Sequence, residues 1–143
     1  MKFSSTLALS ALLSTTAFAQ RIAIGYPANG TSVQPGSSFL MEVDRPNSLS
    51  GSTEVAVVIG FQSCAASPCH SPADGLGTVL YNGGYKPVFQ TGAASKPPHQ
   101  NFTVTIPTTA PKGSALIGVS HMALIGAGQA AFLESVGVEV NVV

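Results

Sequence analysis

The chemistry-capable side chains of this 143-residue chain are two cysteines, three histidines and six carboxylates. Cys64 and Cys69 have four residues between them. An even pair in an oxidising compartment closes a disulfide, and so short a loop staples itself rather than the domain. The spacing is not the C-x-x-C of oxidoreductases, so redox turnover is not expected. His70, His99 and His121 stand 29 and 22 residues apart, which matches no metal-ligand spacing, and neither metal nor cofactor is expected. His70 and His99 read as loop histidines, and His121 as a hydrogen-bonded histidine in a strand. Sugar hydrolysis needs two acids in one cleft. Glu42 and Asp44 share one strand face and read as solvated, while Glu134 and Glu139 have opposite strand parity. Gly-x-Ser-x-Gly is absent, and Gly60, Gly75 and Gly77 form no phosphate cradle. With no catalytic set, the chain reads as a non-enzyme.

Two glycosylation sequons occur, Asn29-Gly30-Thr31 and Asn101-Phe102-Thr103. Attachment requires exposure. Asn29 falls in a turn, and Asn101 alternates with apolar Phe102, Val104 and Ile106, so both are expected to face solvent.

The N-terminus places these groups outside the cell. Lys2 gives one positive charge, an apolar run follows from Leu7 to Leu13, and Ala17-Phe18-Ala19 supplies small residues at a cleavage site. Residues 1–19 therefore read as a secretory signal, and residues 20–143 as one mature domain starting at Gln20. No later apolar run approaches the roughly 18 residues that span a bilayer, so no membrane anchor is expected. Without Lys2, five bases stand against six acids, with no cluster of either sign. That balance argues against nucleic acid and anionic membranes as partners.

The elements that must position these groups are strands. Phe39, Met41 and Val43 alternate with polar or smaller neighbours. So do Val55, Val57, Ile59 and Phe61, then Phe102, Val104 and Ile106, then Val136, Val138, Val140 and Val142. Residues 115–125 form a long apolar strand, and 22–26 and 78–81 are shorter ones. Turn signals separate them at Pro27–Gly30, Pro35-Gly36, Pro46-Asn47, Asn82–Gly84 and Pro111–Gly113. About seven strands predict an all-β fold, a single antiparallel β-sandwich of immunoglobulin or fibronectin-III type. Two segments fall outside this meander. Residues 63–75 carry the cysteines. Residues 82–100 exceed the usual length of a structureless connection, with a short edge strand expected at 87–90. Long loops of this kind often carry function. Tyr85, Lys86, Phe89 and Lys96 are the expected partner contacts.

Several segments resemble a known family. They are Asp74–Tyr81 (DGLGTVLY), Asn101–Pro107 (NFTVTIP), Ala115–Ala127 (ALIGVSHMALIGA) and Val136–Val142 (VGVEVNV). Together they are similar to the fungal necrosis-inducing secreted proteins, an effector family. The resemblance implies a β-sandwich, a secreted, plant-facing role, suppression of immunity, and host receptor-associated kinases as partners. It brings no catalytic residue. The cysteine loop and the length of 82–100 depart from the family pattern. The opening Pro-x-Asn-Gly-Thr-x-Val-x-Pro-Gly-Ser also resembles the immunoglobulin-like domain of fungal wall-assembly proteins. The alternative reading is therefore a wall-associated structural or carbohydrate-binding protein, for which Tyr26, Tyr81 and Tyr85 would have to replace the absent Trp.

Overall fold

The computed structural model describes residues 21–48, 51–92 and 95–143. The signal read in residues 1–19 and the expected start at Gln20 lie outside the described residues. Strands β1 (Ala23–Tyr26), β3 (Ser38–Asp44) and β6 (His99–Thr105) form one sheet in the order β1-β3-β6. Strands β2 (Thr31–Val33), β4 (Ser52–Ser63), β5 (Thr78–Gly83), β7 (Gly113–Ile125) and β8 (Ala130–Val142) form the other, in the order β2-β8-β7-β4-β5. The described residues contain no helix. This is an all-β sandwich with immunoglobulin-type strand order. It departs from the expected antiparallel meander at β2, an additional strand that pairs in parallel with β8. The turn before it passes through Gly30 at φ +81°, a conformation open to glycine, and carries the chain from one sheet to the other.

Alternation builds the core. Met41 and Val43 of β3 and Phe102 and Val104 of β6 face Val57, Ile59 and Phe61 of β4. Ile117 and Val119 of β7 and Val138, Val140 and Val142 of β8 complete it. At full burial each such side chain contributes about 1.5–3 kcal/mol. One expected member is missing. A bulge between Glu54 and Ala56 shifts the register of β4 against β7. An inserted residue inverts strand parity. Val55, expected inside, is therefore exposed, and Glu54 is turned inward.

The cysteine segment folds back over the outer face of the larger sheet. Gly60, Gly118 and Gly137 lie in register across β4, β7 and β8, forming a row without side chains. Leu76 and Pro72 rest on that row. A Cβ at Gly118 would lie 2.8 Å from Leu76 Cδ2 and 3.1 Å from Pro72 Cβ, and one at Gly137 would lie 2.8 Å from Pro72 Cγ. Gln62 clamps the segment further, donating from Nε2 to Gly75 O at 2.6 Å and accepting the His70 N–H at 3.3 Å. The connection between β4 and β5 thus sits at one pole of the sandwich. The connections β3–β4, β5–β6 and β7–β8 sit at the opposite pole.

Candidate functional site

At the second pole a charged network is buried inside the sandwich. Glu54 enters it through the bulge in β4. His121 and Glu134 are directly opposed residues of β7 and β8 with the parity of Val119 and Val138, so both point inward. His121 Nδ1 lies 3.0 Å from Glu134 Oε1, and Nε2 lies 2.5 Å from Glu54 Oε2. Arg45 Nε donates to Glu54 Oε1 at 2.9 Å, and Ser52 Oγ donates to the same oxygen at 2.6 Å. The Ile22 N–H donates to Glu134 Oε1 at 2.9 Å. Tyr85 stacks edge-on against the His121 ring at 5.2 Å between centroids.

With carboxylates on both ring nitrogens, His121 donates twice only as an imidazolium. Burial pushes the Glu54 carboxyl up, but the hydrogen bonds from Ser52 and Arg45 and the charges of Arg45 and His121 hold it below the usual value. Burial, followed by the nearby Glu54 charge, pushes the Tyr85 hydroxyl up. The network ties Ile22 just before β1, Arg45 after β3, β4, β7 and β8 into one unit. Both nitrogens of His121 are occupied and the residue is fully buried, so its chemistry is that of a clamp.

A second polar cluster corrects the solvated-face reading of Glu42 and Asp44. Lys96 Nζ contacts both carboxylate oxygens of Glu42 at 2.8 Å, and His99 Nε2 approaches Glu42 Oε2 at 3.7 Å. The two carboxylates pack over Gly25, where a Cβ would collide with both. Burial, then the Glu42 charge, raises the Asp44 carboxyl above its ordinary value. His99, expected in a loop, is buried as the first residue of β6. His70 stays in its exposed loop.

The expected partner contacts separate into three kinds. Tyr85 is 1% exposed and donates its hydroxyl to Val43 O at 3.0 Å, so it anchors the loop and offers no surface to a partner. Lys96 is half exposed but held by Glu42. Lys86 and Phe89 are exposed, Phe89 at 64%, and Val88 beside it is exposed too. The edge strand expected at 87–90 is reduced to one bridge, Val88 with His99. The two long loops, 63–75 and 82–100, lie at opposite poles. Asn29 and Asn101 are both exposed. Cys64 and Cys69 form the disulfide. They line a shallow groove of about 540 Å³ with Ala65, Pro68, Ser114 and Glu139.

Sequence reasoning missed Glu54, Arg45 and Glu134 as core residues. The parity of Glu134 with Val136 and Val138, and of His121 with Ile117 and Val119, could have revealed that pair. Glu54 was hidden by the bulge, and Arg45 lies beyond any strand pattern.

Fold and site together define an immunoglobulin-like β-sandwich with a buried ion clamp beneath one pole and a disulfide loop at the other. The chain belongs to the Nis1 family, whose sequence pattern matches residues 17–141. Among curated proteins no relative matches. Among solved structures, the chain is similar to the superoxide reductase (neelaredoxin) of Ignicoccus hospitalis. One structure of it is 12% identical with a TM-score of 0.46, covering 85% of this chain and 80% of that one. A second is 12% identical with a TM-score of 0.45, covering 83% and 79%. A likeness at this level bears on neither the fold nor the activity of this chain. Among the described residues no helix is long and apolar enough to cross a membrane.

Proposed function

We propose that this protein is a secreted effector that works by binding, without turnover, and that its contact surface is the loop following β5. The observation that carries the reading is the presentation of Val88 and Phe89. Both are apolar and exposed, yet the backbone around them is fixed. Tyr85 is plugged into the core three residues before Val88, the Lys86 N–H donates to Gln100 Oε1 at 2.6 Å, and Val88 bridges His99. Ordering such a loop in advance lowers the entropy lost on binding, and exposed aromatic side chains are enriched at protein interfaces. Family membership supports an effector role, and the disulfide supports an extracellular setting. The partner this reading assigns is a host receptor-associated kinase, which must then be met on or inside the host cell.

The test uses leaf tissue expressing the secreted protein and challenged with chitin fragments. The wild type should suppress the oxidative burst and co-purify with receptor-associated kinases. The double variant Val88→Ser, Phe89→Ser should lose both effects while keeping its melting temperature. A normal burst with the wild type would sink the effector reading, and retention on chitin or glucan would then favour a wall-bound role. A double variant as active as wild type would move the contact surface elsewhere.

A further inference from the structure

We propose that the Arg21–Ile22 bond is a proteolytic maturation site, and that the Ile22 α-ammonium released there forms an ion pair with the buried Glu134. Arg21 is exposed and Ile22 is 3% exposed, so this bond is where the chain passes from solvent into the core. The Ile22 nitrogen already lies 2.9 Å from Glu134 Oε1. The other oxygen, Oε2, is buried and has no hydrogen-bond partner among the described residues. The Glu134 side chain is only 6% exposed, so that orphaned oxygen is costly. An amide nitrogen carries one hydrogen and serves one carboxylate oxygen. An ammonium at the same position carries three and serves both. A cut one residue to either side would place the new charge about 3.8 Å along the chain, out of reach of the pair.

The step is a hydrolysis. One water is consumed and the Arg21 C–N bond breaks. Arg21 leaves as a carboxylate on the departing segment, and the Ile22 amine takes up a proton. The enzyme required is a protease that reads arginine before the scissile bond. If the leader is removed after Ala19, the segment still to be cut is Gln20-Arg21 alone. The pairing of Ala23 with Asp44 is untouched by the cut. The groups facing the new ammonium are Glu134 from β8, with His121 from β7 bonded to the same oxygen.

The full chain, secreted from a filamentous fungus, should give an intact mass beginning at Ile22 after glycan removal. A mature species beginning at Gln20 overturns the proposal. Independently, chains made to begin at Ile22 and at Gln20 are compared. The Ile22 amine, followed by ¹⁵N NMR, should titrate about one unit or more above the ordinary α-amino value of roughly 7.7–8.0. The Ile22 form should melt higher, and Glu134→Gln should erase both effects. If Glu134→Gln does not fold, carbamylation of the Ile22 amine should lower the melting temperature in its place. An ordinary amine pKa with equal melting temperatures overturns the ion pair. None of these outcomes depends on what the β5–β6 loop binds.

Discussion

Replacing Glu54 with glutamine should unlock the second pole. Three donors converge on this carboxylate: Arg45 Nε at 2.9 Å, Ser52 Oγ at 2.6 Å and His121 Nε2 at 2.5 Å. Glutamine keeps one oxygen, enough for Arg45 and Ser52, and turns an NH₂ toward His121. The guanidinium loses the counter-charge of Glu54, and the His121 ring nitrogen loses the carboxylate oxygen that it bonded. Breaking a buried pair by removing one partner costs about 3–5 kcal/mol. The Glu54 side chain is 12% exposed, so solvent screens little of this and the low end, about 3 kcal/mol, is expected. For a domain of this length each kcal/mol moves the melting point by about 4 °C, a drop of roughly 12 °C. Urea unfolding and calorimetry would measure it, with Lys96→Ala as the control. Lys96 is 51% exposed, so breaking its pair with Glu42 should cost under about 1 kcal/mol. A Glu54→Gln loss below about 1 kcal/mol, or one that vanishes in 1 M salt, would refute the buried-clamp account.

Gly118→Val should lift the disulfide segment off the sheet, because its side chain would occupy the seat of Leu76 and Pro72. Overpacking of this kind costs about 1–3 kcal/mol, and limited proteolysis should cut within 65–76 in the variant before the wild type. Acid should act on two carboxyls with opposite sign. Glu54 is held below its ordinary 4.5, so its contribution is present above that value and lost as pH falls through the lower folded value. Asp44 is raised above 3.8, so falling pH through its higher folded value adds stability. Urea midpoints from pH 7 to pH 3 should therefore fall more steeply in Asp44→Asn than in wild type, and less steeply in Glu54→Gln. The reverse order would contradict both assignments.

Local chemistry determined much of this protein before any folding was considered. Period-two alternation in 39–43, 102–106 and 136–142 assigned the strands and their inward faces, because a half-buried strand admits no other pattern. The close Cys64–Cys69 spacing identified its own bridge, and the apolar parity of 117–123 carried His121 inward with it. Other features were decided by long-range contact. Glu54 became a core residue because a bulge inverted its parity with respect to β7, and bulges leave no mark in composition. Tyr85, expected on the surface, reached Val43 only once β3 and the β5–β6 loop were side by side. Gly60, Gly118 and Gly137 gained meaning as a row only when register aligned three strands whose separation in sequence hides it. The two long loops parted to opposite poles because strand direction, not loop composition, sets the end at which each connection falls. Sequence fixes what each residue prefers to face; which distant groups share that face depends on register, and register is a property of the assembled sheets.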